Sequence, residues 1–282
     1  MGVTIIADSG CDLTKTEASS AAIDIIPVWI ALDGKRLRDG VDVDRDSVLA
    51  RIGAGEVVRT EPPSVQDFTQ AFTRATAGGN DAVMIVLSSQ ISQSFAYASE
   101  AAQAFGGRVQ VVDSRGASGL ESLLALYAVE LMHSGLDAAQ IAKKIDPSTM
   151  RTAAYFAVPD VSVLGRSGRL PKAVVALGSM LNVSLVLKLN EHGAIGPAGQ
   201  SFSFDKTCEI MVEAVVRAVG HSPSARVAFG HVQAPGTVAK LSKLLADKLG
   251  HPPVVELIHE APPTLVAHIG TGAIGIFAIV PS

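Results

Sequence analysis

Only two cysteines, Cys11 and Cys208, occur among the 282 residues. Two thiols cannot build a disulfide framework, and no histidine stands at a zinc-ligand spacing from either, so the pattern fits a reduced, cytoplasmic protein without a metal site. Positive charge is scarce as well: 23 Lys and Arg face 27 Asp and Glu, a net charge of −4. Nucleic acid demands a basic surface and is excluded as a partner. Long apolar runs are missing. Stretches such as Ile25 to Leu32 and Ala273 to Val280 fall far short of the roughly 18 to 20 residues that cross a bilayer, so no membrane span is expected. No basic segment precedes the apolar Val3 to Ala7, and the first lysine is Lys15, so no secretory signal is visible. Charged residues make up 18% against 48% hydrophobic, which excludes a disordered chain and points to buried sheet or a sizeable apolar cavity.

Short β-branched runs alternate with longer helical periodicities, the signature of βαβ units and an α/β fold. Strands are expected at Val3 to Ala7, Ile25 to Leu32, Ala82 to Leu87 and Val109 to Val112, each apolar throughout as in a parallel sheet covered on both faces. Ser64 with Asp67, and Asp137 with Gln140, read as helix starts, and Leu120, Leu123, Leu124, Tyr127 and Leu131 form an apolar helical face. The stretch Asp146-Pro147-Ser148-Thr149 reads as a boundary, giving domains 1–150 and 151–282, each with its own core. The second part reads as a helix from about Lys172 to Leu181 and strands near Ala153 to Val158, Leu185 to Leu189, Val227 to Val232, Val254 to Leu257 and Ile274 to Val280. Cys208 shares a helical stripe with Met211, Val212, Val215 and Val219, so its thiol reads as buried.

Several familiar signatures fail. Gly270-Thr271-Gly272-Ala273-Ile274-Gly275 matches GxGxxG in letters, but the seven residues Ile276 to Ser282 that follow leave no room for the crossover helix of a dinucleotide site. No GxxxxGK[ST], HExxH or GxSxG occurs. His268 stands out among the seven histidines because it reads as part of a glycine-rich turn with Gly270 and Gly272, where a ligand can approach backbone closely.

Hydroxyl-bearing residues gather after strand ends: Asp8-Ser9-Gly10-Cys11-Asp12-Leu13, Thr60-Glu61-Pro62-Pro63-Ser64, Leu87-Ser88-Ser89-Gln90-Ile91-Ser92-Gln93-Ser94-Phe95 and Val112-Asp113-Ser114. In open α/β sheets that edge binds ligands, although the same residues also serve as caps and turns. Phe156-Ala157-Val158-Pro159-Asp160 with Leu164 to Leu170, Leu185-Val186-Leu187-Lys188 with Gly193-Ala194-Ile195, and His268 to Gly275 complete the series.

In order and spacing these motifs resemble the DegV family of bacterial fatty-acid-binding proteins over nearly the whole chain. Phe156 to Leu170 resembles the family's YxVPDLxYLxxGGRI element, Leu185 to Ile195 its LxxKPIL and GxI segment, and His268 to Gly275 its HxGPGALG. The resemblance implies a two-domain α/β fold with an N-terminal layered parallel sheet, a C-terminal mixed sheet and one fatty acid between them. It implies a binding protein rather than an enzyme, without cofactor, whose ligand is a long-chain acid such as palmitate, stearate or oleate. The partner it implies is a separate fatty-acid kinase that forms an acyl phosphate for phospholipid synthesis, with transient membrane contact for lipid exchange and a monomeric state. The family's carboxylate-holding Thr and Ser fall on Thr60 and Ser92, and its Arg and His on Arg169 and His268. Ser64, Ser94, Phe95, Gly270 and Gly272 are secondary candidates. Glu61-Pro62, Gln93-Ser94-Phe95, Ser167 and Leu189 depart from the family pattern, and a Glu61 turned inward would repel a carboxylate. Two other classes remain open on the residues alone: an enzyme for a small anion using Ser92 or His268, and a regulatory module with a vestigial pocket.

Overall fold

The computed structural model describes residues 2–178 and 183–282. Its first half runs β1 (Val3–Asp8), α1 (Lys15–Ser20), β2 (Ile23–Ile26), β3 (Trp29–Leu32), β4 (Lys35–Arg38), α2 (Arg45–Gly53), β5 (Arg59–Glu61), α3 (Val65–Ala75), β6 (Asp81–Val86), α4 (Ser94–Ala102), β7 (Val109–Asp113), α5 (Gly119–His133) and α6 (Ala138–Ile145). The second half continues with β8 (Arg151–Ala157), α7 (Val161–Arg166), α8 (Lys172–Gly178), β9 (Ser184–Leu189), β10 (Ile195–Ser201), α9 (Phe204–Val219), β11 (Arg226–His231), α10 (Pro235–Leu249), β12 (Val255–Glu260), α11 (Pro263–Ile269) and β13 (Ile274–Val280). The expected helix ending at Leu181 is described as far as Gly178, and Leu181 lies outside the described residues.

Four parallel strands form one sheet in the order β2-β1-β6-β7. Side chains alternate across it, so Ile5, Ala7, Val83 and Ile85 face α5 and α6, whereas Ile6, Ala82, Met84 and Val86 face α3 and α4. The helices start where the sequence places them. Ser64 accepts from Asp67 N at 3.2 Å while Asp67 Oδ2 accepts from Ser64 N at 2.8 Å, and Asp137 with Gln140 forms the same reciprocal cap on α6.

Residues 151–282 supply a mixed six-stranded sheet in the order β10-β9-β8-β13-β11-β12, in which only β11 and β12 run parallel. This is the α/β architecture with a parallel and a mixed sheet that the motifs imply. Each half has a hydrophobic cluster of its own, and a further cluster joins them across residue 150. Helix α5 lies between the two sheets, its Leu120, Leu123 and Leu124 sharing one core with Ile5 and Val83 on one side and Ala154, Ala228 and Phe277 on the other. At Gly119 the approach is so close that a Cβ would stand 2.5 Å from Ala228 Cβ and 2.7 Å from the Phe277 ring.

The run Ile25 to Leu32, expected as one strand, is two. Pro27 has no N–H to donate to a ladder, and Val28 N bonds Ser9 Oγ at 3.0 Å. Strand β2 therefore pairs with β1, while β3 leaves for a three-stranded antiparallel sheet, β4-β3-β5, absent from the sequence expectation along with α2 and β10. This small sheet packs on the second half: Ile30, Val43, Val48 and Val58 share a core with Val161, Leu164 and Val266, and α2 lies against α11. A first-half excursion thus carries Thr60 across to the second half.

A cavity between the two halves

A cavity of about 530 Å³ lies between the Leu87–Gln93 loop, which joins β6 to α4, and the second-half elements β8, β11, β13, α7 and α11. Its walls are mostly apolar. Val28, Leu87 and Ala117 come from the first half, and Phe156, Leu164, Leu265, Ile274 and Phe277 from the second. The volume lies in the range of ligand pockets, roughly 300 to 1,000 Å³.

Thr60, Ser92, Arg169 and His268 all line this cavity. Thr60, the middle residue of β5, places Oγ1 2.8 Å from His268 Nε2. His268 sits in the last turn of α11 rather than in the glycine turn expected for it, because Pro262 and Pro263 end β12 and open a new helix with a proline in its first turn. Burial first, and the Arg169 cation second, push the His268 imidazole down to about 3, so it is neutral throughout the physiological range. Arg169 is itself half-buried, its Nη1 donating to Ser167 O at 2.7 Å. Ser92 is held by its backbone, N to Ser88 O at 3.0 Å, and its hydroxyl lies 2.9 Å from Ser94 Oγ.

The secondary candidates lie behind the wall. Ser64 caps α3, Ser94 is fully buried beneath Ser92, and Phe95 packs with Phe68 and Phe72 on the far face of the parallel sheet. Gly270 ends α11 at φ 69, and Gly272 (φ 78) accepts no Cβ because Pro159 Cγ would be 2.9 Å away. Their role is to turn the chain from α11 into β13.

The departures from the motif pattern also acquire a geometry. Glu61 lies at the cavity rim, but its Oε2 is paired to Arg36 Nε at 2.8 Å with both side chains half-exposed, and Arg36 in turn lies 4.6 Å over the Trp29 ring. Gln93 accepts from Tyr97 Oη at 2.7 Å, which ties its head to α4.

Behind the cavity, carboxyl groups tie the loops together. Asp8 accepts from Gly10 N at 2.8 Å and Leu87 N at 3.0 Å, fixing the cavity loop. Asp39 accepts from Ser9 Oγ at 2.6 Å and Thr264 N at 3.2 Å, fixing α11 and with it His268. Burial pushes Asp8 up to about 6 and Asp12 and Asp39 up to about 7, and Glu121 well above its ordinary value. Both cysteines are buried, and burial raises both thiols, Cys208 to about 11, so neither is a nucleophile. Among the described residues no group of three His, Cys, Asp or Glu side chains is arranged to hold a metal, and no helix is long and apolar enough to cross a membrane. Ser118, Gly230, His231 and Thr264 also line the cavity and were not singled out from the sequence.

A parallel and a mixed sheet with a mostly apolar cavity between the two halves define an α/β protein of two packed halves. The chain belongs to the DegV family: residues 2–280 match the model of that family of uncharacterised proteins. A DegV domain-containing protein of Deinococcus radiodurans is 28% identical over 98% of both chains. Among solved structures, a fatty-acid-binding DegV family protein from Thermus thermophilus superposes with a TM-score of 0.90 at 26% identity, covering 99% of this chain and 100% of its own. A protein from Thermotoga maritima whose structure reveals fatty acid binding function gives 0.86 at 25% identity, covering 99% of both.

Proposed function

We propose that the chain binds one long-chain fatty acid in the cavity between its halves, with the carboxylate at Thr60, Ser92, His268 and Arg169, and presents it to a separate fatty-acid kinase. The observation that carries this reading is the meeting of Thr60 with His268, beside Arg169 and Ser92, on the wall of a single apolar cavity. The fatty-acid-binding relatives from Thermus thermophilus and Thermotoga maritima support it.

The chemistry supports it as well. Burying about 14 methylenes at about 0.8 kcal/mol each supplies roughly 11 kcal/mol before entropic losses, so affinity comes from the tail. Only the head needs polar groups. Two hydroxyls, that of Thr60 held in place by the neutral His268 imidazole, hold a carboxylate by hydrogen bonds without locking both oxygens in an ion pair, and an oxygen stays available to accept a phosphoryl group. Arg169 supplies charge-assisted stabilisation of the anion, and later of the acyl phosphate. Glu61, drawn off by Arg36, leaves that site free of a competing carboxylate. On this reading residues 1–150 and 151–282 are two domains with palmitate, stearate or oleate between them, and a cytoplasmic monomer serves phospholipid synthesis without cofactor.

Denaturing solvent extraction of the purified protein, followed by mass spectrometry against a matched blank, tests the ligand. A near-stoichiometric fatty acid is expected; no lipid together with no measurable affinity for long-chain acids would sink the reading. Adding ATP and a fatty-acid kinase to the loaded protein is then expected to yield acyl phosphate.

A further inference from the structure

Ser118 has no part in the head-group site, yet it lines the same cavity at the turn between β7 and α5. Its backbone, at φ 57 and ψ −137, occupies a region that residues other than glycine enter only under strain. A serine at a helix start ordinarily has extended backbone and turns its hydroxyl onto the helix's own N–H groups. Ser118 makes no such cap. Its hydroxyl donates instead to Asp12 Oδ2, 106 positions away, with both side chains buried. The other Asp12 oxygen, Oδ1, is buried and has no hydrogen-bond partner among the described residues.

The surroundings are pared down to make this turn possible. A Cβ on Gly116 would stand 2.7 Å from Leu120 Cδ2, and the close approach of Gly119 to Ala228 has been described. Across from the pair, Gly230 leaves open the space in which a Cβ would meet Ser118 Oγ at 2.8 Å and Asp12 Oδ2 at 3.2 Å. The N–H of Gly119, the residue after the serine, opens α5, where no carbonyl of the helix is within reach to accept it. A strained serine on a strand-to-helix turn, hydrogen-bonded to a base and followed by a backbone N–H without a partner among the described residues, is the arrangement that activates a hydroxyl for acyl transfer. Here the glycines fall two residues before and one after the serine, so no GxSxG is spelled out, and a carboxylate stands where an imidazole is commoner.

We propose that Ser118 is a nucleophile toward long-chain acyl esters, with Asp12 as its general base, so that this cavity can release a fatty acid as well as hold one. The inference rests on the reading that the cavity takes an acyl chain. Asp12 takes the proton from Ser118 Oγ as that oxygen bonds to the ester carbonyl carbon, and the Gly119 N–H receives the developing oxyanion. The bond to the alkoxy oxygen breaks, and the alcohol leaves with the proton from Asp12. Water then attacks the acyl-serine, gives a proton to Asp12, and the released serine oxygen recovers it. The sum is ester plus water giving acid plus alcohol. Burial, which lifts Asp12 to about 7 while Ser118 and the nearby His259 lower it, gives the base a proton affinity suited to neutral pH.

The test uses the intact chain with hexadecyl fluorophosphonate and with p-nitrophenyl palmitate, and compares Ser118→Gly and Asp12→Asn. Glycine accepts the positive φ, so Ser118→Gly is expected to keep a cooperative unfolding transition. A covalent adduct on the Ser118 peptide is expected, with hydrolysis reduced at least 100-fold in Ser118→Gly and at least 10-fold in Asp12→Asn. An adduct on Ser92, no adduct, or hydrolysis unchanged in Ser118→Gly overturns the proposal. Palmitate titration of the unsubstituted protein separates the two readings: binding without an adduct removes the catalytic role alone, and loss of both removes the fatty-acid reading with it.

Discussion

Thr60 on β5 and His268 on α11 are 208 positions apart and meet at 2.8 Å through Oγ1 and Nε2. The other ring nitrogen, Nδ1, is buried without a hydrogen-bond partner. A buried unpaired acceptor is tolerated better than a buried unpaired N–H, which assigns the proton of the neutral ring to Nε2, donating to Thr60. The Thr60 hydroxyl then has its own proton to give to a carboxylate. Thr60→Val removes it and is expected to weaken palmitate binding by about 1 to 3 kcal/mol, with Thr60→Ser retaining most of the affinity. Displacement of a fluorescent fatty acid measures both, and an unchanged dissociation constant in Thr60→Val would put the carboxylate elsewhere.

The Arg36–Glu61 pair makes a different prediction, because it acts on the ligand rather than on the fold. An exposed ion pair contributes about 0 to 1 kcal/mol, so Arg36→Ala is expected to change stability little. It frees Glu61 at the cavity rim, however, and palmitate binding is expected to weaken several-fold. The double variant Arg36→Ala with Glu61→Gln is expected to recover it. Failure of the second change to rescue the first would mean that Arg36 acts by some route other than restraining Glu61.

Gly119→Ala probes the contact between halves. The added Cβ would meet Ala228 Cβ at 2.5 Å and the Phe277 ring at 2.7 Å, and neither backbone can yield without separating α5 from the mixed sheet. Overpacking of this kind costs about 1 to 3 kcal/mol, read as a lower urea midpoint. A midpoint within error of the parent would show that the sheets slide apart easily.

The buried acids govern stability against pH. Asp8, Asp12 and Asp39 have pKa values of about 6, 7 and 7, raised from about 3.8, so the folded state keeps protons that the unfolded chain has released. Their contribution is fully present below pH 4 and is lost as pH rises through about 7. His268, lowered to about 3, acts oppositely: its contribution is present above about 6.5 and lost as pH falls toward 3. Between pH 5 and 8 three carboxyls outweigh one imidazole, so the melting temperature is expected to fall across that interval. Asp12→Asn should flatten the fall, and a parent protein whose melting temperature rises from pH 5 to 8 would contradict the assignment.

Most strands and helices were legible before the structure because the signals are local. The reciprocal caps at Ser64 and Asp137, and the unbroken apolar run Ile274 to Val280, need only neighbours a few residues away. The misreading of Ile25 to Leu32 shows the limit. Hydropathy ran through Pro27, and the missing N–H mattered only once strands on either side belonged to different sheets. The four principal candidates came from a resemblance carried by motifs spread along the whole chain. Ser118 had a signal, a serine between Gly116 and Gly119 after a strand, but its spacing differed from the familiar elbow.

Chain composition and periodicity were enough to establish an apolar α/β protein with a buried thiol at Cys208 and no basic surface, since these follow from what each short stretch can bury. Which side chains face one another was decided by the packed molecule. Thr60 finds His268, Ser118 finds Asp12 and Glu61 turns to Arg36 because β3 to β5 cross to the second half and α5 is clasped between two sheets. Such pairings depend on how whole layers are stacked, and no window of sequence contains both partners.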